Sequence, residues 1–247
     1  MKVLICGLGG HMGQEVAKLC SQGFYGAEVV GGISKPVFSG DVPCTEGFDE
    51  TLPDADCIID FSHHSLTNDL LSFAVKRKMP LVLATTGQTD EERAAIKEAS
   101  KEIPLFFAAN FSMGVALLIK LAKLTAKAMP GAEIEIIEKH HDRKLDAPSG
   151  TALAIAKAIQ EVRPEATINT GRSGQGKRTP DEIGIHAIRM GNIVGEHEVM
   201  VGTNNQTITL KHEAHSRALF AEGALSAADF IKDKPAGLYD MQSLLDF

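Results

Sequence analysis

KVLICGLGGHMG, residues Lys2 to Gly13, is the stretch on which the fold turns. Lys2 to Cys6 is a short run of strand-forming apolar residues. Gly7-Leu8-Gly9-Gly10-His11-Met12-Gly13 follows at once, and Val16, Leu19 and Cys20 then recur at helical spacing. Strand, glycine turn and helix in that order form the context in which such a turn holds a dinucleotide. Gly7 permits the tight turn, Gly9 and Gly10 let backbone approach a pyrophosphate, and the helix start faces its charge. The usual GxGxxG spacing ends one residue earlier; here Met12 stands in that place and Gly13 follows. A glycine turn alone can be a structural corner, and its position directly after a strand is what favours a nucleotide.

Downstream residues repeat the alternation. Glu28 to Ile33, Cys57 to Phe61, Pro80 to Ala84 and Pro104 to Ala108 read as further strands, with helices from Ser65 to Lys78 and after the Thr89/Glu92 capping box. Five βα units of this kind predict a Rossmann-type, doubly wound parallel sheet with right-handed crossovers. At the end of the second strand, beside the ribose, NAD-selective proteins tend to carry an acid; Ser34 and Lys35 stand here instead. Lys35 is either a 2′-phosphate partner, favouring NADPH or dual use with NADH, or a solvated loop residue. Thr85, Thr86, Asn110 and Phe111 fall at equivalent strand ends and are candidates to border the nicotinamide. His63 and His64 sit at a strand-to-helix turn with no nearby carboxylate or cysteine in sequence and read as loop residues.

Beyond an apolar helix from about Val115 to Met129 the pattern becomes strand-rich, near 132–140, 183–190, 193–202 and 206–212. Gly191-Asn192 and Asn204-Asn205 suit hairpin turns and antiparallel pairing. The expectation is α/β overall: a dinucleotide-binding domain over 1–110 plus 216–247, and a second α+β domain of mixed or antiparallel sheet over 111–215, for substrate binding and oligomerisation. The last helix, Ala218 to Ile231, returns to the first domain. The glycine-rich basic segment 171–178 reads as a loop able to reach a neighbouring site or subunit.

EKHHDRKLDAPSGTA, Glu138 to Ala152, carries the chemistry. Ser149 suits an N-cap, with Gly150 and Thr151 in the first turn of a helix through Leu153, Ile155, Ala156 and Ile159. Exposed N–H groups and the helix dipole there favour a carboxylate or phosphate. His140 and His141 supply a titratable pair, Lys144 a cation and Asp146 an orienting carboxylate, enough to hold an anionic substrate and give it a proton. Each piece alone has a plainer reading as cap, surface or core, and HHxxxK lacks a set of metal ligands at usual spacing, so no metal is expected.

Composition narrows the partners. A formal charge of −7 argues against nucleic acid or an anionic membrane, so an anion site must be local, as the Lys139–Lys144 cluster would be. Cys6, Cys20, Cys44 and Cys57 form no CxxC pair and point to a reducing cytoplasm. No stretch reaches transmembrane length.

Taken together, GLGGHMG and EKHHDRKLDAPSGTA resemble the dihydrodipicolinate reductases of bacterial and plant lysine synthesis. The resemblance extends to DFS at 60–62, TTG at 85–87, AANFSMGV at 108–115, MGNIVGEH at 190–197 and HSR at 215–217. It implies His140 as proton donor and acceptor, Lys144 as second proton donor, and His141 with Ser149, Gly150 and Thr151 as holders of a small dicarboxylate substrate. It implies cofactor contacts from Gly7, Leu8, Gly9, Gly10, His11 and Met12, from Ala84, Thr85 and Thr86, and from Ala108, Ala109, Asn110 and Phe111. It further implies NADPH or NADH as reductant and a homotetramer formed through the substrate domain. Another two-domain amino-acid or semialdehyde dehydrogenase would account for the glycine turn but not for HHDRKLDAPSGT. A non-catalytic NADP(H)-sensing module would make the histidines an interface patch.

Overall fold

The structure, a computed structural model, describes residues 1–245. In chain order its elements are β1 (Lys2–Cys6), α1 (His11–Ser21), β2 (Glu28–Ile33), β3 (Cys44–Thr45), β4 (Cys57–Asp60), α2 (Thr67–Arg77), β5 (Leu81–Leu83), α3 (Asp90–Ala99) and β6 (Pro104–Phe107). There follow α4 (Met113–Ala128), β7 (Glu133–His140), α5 (Gly150–Gln160), β8 (Thr167–Thr170), β9 (Glu182–Arg189), β10 (Gly195–Thr203), β11 (Gln206–Ala214), α6 (Ala218–Ile231) and β12 (Gly237–Tyr239). Two compact units result, Met1–Ser112 with the segment from Ala218 onward, and Met113–Arg217. The first domain as expected from sequence runs to 247, and its last two residues lie outside the described ones.

In the first unit seven strands run parallel in the order β12-β6-β5-β4-β1-β2-β3. The order reverses on either side of β1, the switch point at which open α/β sheets bind ligands beyond their carboxyl ends. Unbroken apolar runs explain the burial: Val3, Leu4, Ile5 and Cys6 have no exposed surface, nor have Cys57, Ile58 and Ile59. Leu70 and Phe73 of α2 and Ile96 of α3 join Leu4, Ile58 and Leu81 in the core on one side, while α1 packs with α6. The Thr89/Glu92 capping box forms with both of its bonds. The helix expected from Ser65 opens instead with a 3₁₀ turn, His64–Leu66, before α2.

In the second unit the sheet order is β11-β10-β7-β9-β8, a mixed sheet. Ala122 and Ala126 of α4 and Ile155 and Ile159 of α5 cover one face, against Ile134, Ile136, Val199 and Val201. Full burial of Ile155 and of Ile159 contributes about 1.5–3 kcal/mol each. Asn204 and Asn205 form the tight turn between paired Thr203 and Gln206. Gly191-Asn192 does not join a hairpin. Gly191 turns, but β9 pairs with β7 in parallel and β10 pairs with the opposite edge of β7 antiparallel. The connection instead crosses the end of β7, where Met190 N–H donates to the His140 carbonyl and the Gly191 carbonyl accepts from Asp142 N–H. Central strand β7 needed a partner on each edge, and this crossing supplies the second.

Candidate active site

The first unit contains a cleft of about 750 Å³ lined by Gly7, Gly9, Gly10, Ser34, Lys35 and Ser62, among others. Gly7 has φ of +86°, and a methyl group there would stand 2.6 Å from the Phe61 carbonyl oxygen. At Gly13, the displaced last glycine, a methyl would lie 2.2 Å from the Gly7 carbonyl oxygen, so the helix can close on the turn only without a side chain. Gly10, the N-cap of α1, brings no capping side chain, and no acid sits in the first turn. That leaves a helix start suited to phosphate, so these residues fit a dinucleotide.

The expected cofactor residues divide by what they expose. Gly7, Gly9, Gly10 and Lys35 line the cleft, and Gly9 N–H donates to Ser34 Oγ at 3.1 Å. His11 and Met12 open α1. Leu8 is buried against Gly32, and Phe111 is buried beside Phe61 and Phe106, so both would meet a cofactor through backbone alone. Ala84 N–H bonds the Asp60 carbonyl, buried Thr85 accepts from Gln88 Nε2, and Thr86 is exposed. Ala108 and Ala109 follow β6, and Asn110 Oδ1 caps Ser112 N–H at 2.8 Å. His64 does have a carboxylate companion: Nδ1 lies 3.1 Å from Glu92 Oε2.

In the second unit the strand parity of β7 places Glu138 and His140 on its buried face. His140 Nδ1 donates to Glu138 Oε2 at 2.6 Å. Arg189, paired with His140 across β7 and β9, holds the same carboxylate with two bonds of 2.8 Å. Ser149 N–H adds a bond of 2.9 Å. Burial pushes the Glu138 carboxyl up, but the bonds from His140, Arg189 and Ser149 outweigh it and bring it down to about 2. The imidazole is thus oriented by Glu138 rather than by Asp146. Asp146 pairs with Lys144 Nζ at 2.8 Å, a contact that lowers its own carboxyl. A carboxylate of the chain therefore already pairs with this lysine.

Ser149 is the N-cap of α5 and is 2% exposed. Its Oγ accepts from Ala152 N–H at 3.2 Å and lies 3.1 Å from His197 Nε2. The polar groups of Ser149 are thus engaged within the chain, while Gly150 and Thr151 form the outer rim of the helix start. His141 is half-buried, its Nδ1 without a hydrogen-bond partner, and burial followed by the charge of Arg143 lowers its pKa. Lys139 leaves the expected cationic cluster, since it faces the other side of the sheet and pairs with Glu196 at 3.0 Å. Glu138, Arg189 and His197 were not singled out from sequence. For Glu138 a signal existed, because two residues before His140 on a strand is the same face.

A parallel sheet with a glycine-rich first turn, followed by a second unit built on a mixed sheet, is an architecture found among two-domain nicotinamide-dependent oxidoreductases. Within that class the chain belongs to the dihydrodipicolinate reductase family. Residues 1–111 match the model of that family's N-terminus, and residues 114–245 that of its C-terminus. The 4-hydroxy-tetrahydrodipicolinate reductase of Caldanaerobacter subterraneus subsp. tengcongensis is 47% identical over 99% of this chain and 98% of its own length. That of Clostridium tetani is 43% identical over 100% and 97%. A dipicolinate-bound dihydrodipicolinate reductase from Paenisporosarcina sp. TG-14 superposes with a TM-score of 0.82 at 27% identity, covering 97% of each chain.

Proposed function

We infer that the chain reduces 4-hydroxy-tetrahydrodipicolinate to tetrahydrodipicolinate with NAD(P)H, in the diaminopimelate route to lysine. The observation that carries this is full-length membership of the reductase family by a chain whose histidine signature folds into a buried carboxylate–imidazole pair. Bound nicotinamide supplies the hydride, which adds to ring carbon 4 of the conjugated imine formed by loss of water. His140 gives the proton to the ring as electron density moves toward the neighbouring carbon and nitrogen, a role worth about 10²–10⁴-fold. Lys144 stabilises that charge and is the second proton donor. His141 and the Ser149-Gly150-Thr151 helix start receive the ring carboxylates, with Ser149 acting through its cap and the outer two residues by contact.

Lys35 on the rim of the dinucleotide cleft supports use of NADPH alongside NADH, as a cation there meets a 2′-phosphate. Exposed Ile188 and Ile208 on the second sheet, with Met190 just beyond β9, support a homotetramer built through that unit, which light scattering would read as four chain masses. Four free cysteines suit a reducing cytoplasm. The test is consumption of NADPH and of NADH on adding freshly made condensation product of pyruvate and aspartate semialdehyde. Both should be oxidised, with Lys35→Ala lowering kcat/KM for NADPH more than for NADH. Oxidation of neither removes the assignment, and equal effects on the two cofactors remove the role of Lys35.

A further inference from the structure

Glu138 has no exposed side-chain surface, yet it is ionised. An anion so buried is costly unless its oxygens are fully engaged. Both are. Oε2 takes the His140 Nδ1 proton and one Arg189 N–H, and Oε1 takes the other Arg189 N–H and the Ser149 backbone N–H. These donors come from β7, β9 and the residue that caps α5, so one carboxylate ties the imidazole to the helix start. Arg189 extends the tie by donating to the Asp146 carbonyl at 2.6 Å, at the far end of the loop that carries Lys144.

We propose that Glu138, clamped by Arg189, is a positioning residue for the reduction: it keeps a proton on His140 Nδ1, makes Nε2 the nitrogen that exchanges a proton with the substrate, and fixes that nitrogen relative to the carboxylate-binding helix start. The inference rests on His140 being the proton donor. A neutral imidazole has one N–H, and a fixed acceptor at Nδ1 decides which nitrogen carries it. After Nε2 has given up its proton, Nδ1–H stays on Glu138, so the ring can be recharged at Nε2 without turning over. The other groups around the imidazole do not replace this anion. Arg189 of β9 and Lys144 of the loop are cations. His197 of β10, whose ring lies 5.2 Å away edge-on, and His141 are held toward their neutral forms.

The test compares Glu138→Gln and His140→Gln with the unaltered enzyme, reading kcat, KM and the pH profile of kcat. Glutamine keeps the shape at 138 but removes the charge and sets an amide N–H₂ among donors. Turnover should fall by up to about 10²–10⁴-fold, the contribution of a general acid, with a smaller change in KM, and the basic limb of the kcat profile should move to lower pH. His140→Gln should be slow with that limb absent. If His140→Gln turns over normally, the proton-donor assignment fails and takes this inference with it. If His140→Gln is slow while Glu138→Gln keeps normal turnover and an unmoved limb, the positioning role alone is overturned. Should Glu138→Gln not fold, the ¹⁵N spectrum of unaltered protein decides, with His140 identified by its loss in His140→Gln. A neutral ring protonated at Nδ1 supports the role, and one protonated at Nε2 overturns it.

Discussion

His197 shows how burial, rather than a partner, sets the behaviour of a side chain. It is 4% exposed, and burial, followed by the charge of His140, pushes it down from about 6.5 to about 4. Its folded value lies below its unfolded one, so the unfolded chain takes up the proton first. Its contribution to stability is whole above about pH 6.5 and is lost as the pH falls to about 4. Glu138 follows in a lower window, whole above about 4.5 and lost toward about 2. The melting temperature should therefore decline over two successive intervals on acidification. His197→Gln should flatten the upper one without abolishing it, because burial lowers His212 in the same direction. Calorimetry between pH 7 and pH 4 checks this, and identical slopes in the two proteins would contradict it. The same scale shows where sequence reading stopped. The Ser149 cap follows from residue type and spacing, which also marked His140 and Lys144 as candidates. The partner of His140 was sought in Asp146, though the parity of β7 points to Glu138. Arg189 reaches Glu138 through a strand pairing 51 residues away, which no local pattern encodes.

Two helix starts in this chain are built in opposite ways, and the contrast predicts how each responds to change. That of α5 is closed by Ser149 Oγ on Ala152 N–H, so Ser149→Ala should cost about 0.5–2 kcal/mol of stability. A lowered melting temperature with KM changed less than stability is the expected result. Asp146, paired with Lys144 Nζ at 2.8 Å, holds the ammonium assigned to the proposed substrate. Asp146→Asn should lower KM for the dicarboxylate and tighten binding of dipicolinate. A raised KM would instead make Asp146 a support for Lys144. By contrast α1 begins on Gly10 with no side-chain cap, which leaves its first turn to a ligand. β1 and β4 were legible as unbroken apolar runs, and α1 and α5 by a helical apolar spacing that coincides with their buried faces. β3, β8 and β12, of two, four and three residues, are too short to carry a period and owe their strand geometry to their neighbours. Gly191-Asn192 misled for a related reason: turn chemistry marks a bend but does not say which strand the chain will pair with next.

At the scale of the molecule, the chain leaves its first unit after Ser112 and returns to it at Ala218, adding helix α6 to that unit and strand β12 to the sheet begun at the N-terminus. Alternation of strands and helices made the parallel sheet readable, whereas the order of the second sheet depends on which edges of β7 remained unpaired. Each unit has its own apolar core, so ligands assigned to different units should protect different amides. With NADPH at about 100 times its Kd, a unit that binds it gains about 2.7 kcal/mol, or about 100-fold slower exchange for amides that open only with that unit. Hydrogen exchange should show this slowing in the first unit, around 7–12, 84–86 and 108–111, and dipicolinate should slow exchange around 138–151 in the second. Gly13→Ala makes the partition decisive, because its methyl would press to 2.2 Å from the Gly7 carbonyl oxygen and force the phosphate turn open. NADPH protection should then vanish while dipicolinate protection persists. Loss of both would mean that the two sites do not belong to separately organised units, since a change confined to the first turn would have disabled the carboxylate site proposed for the second unit.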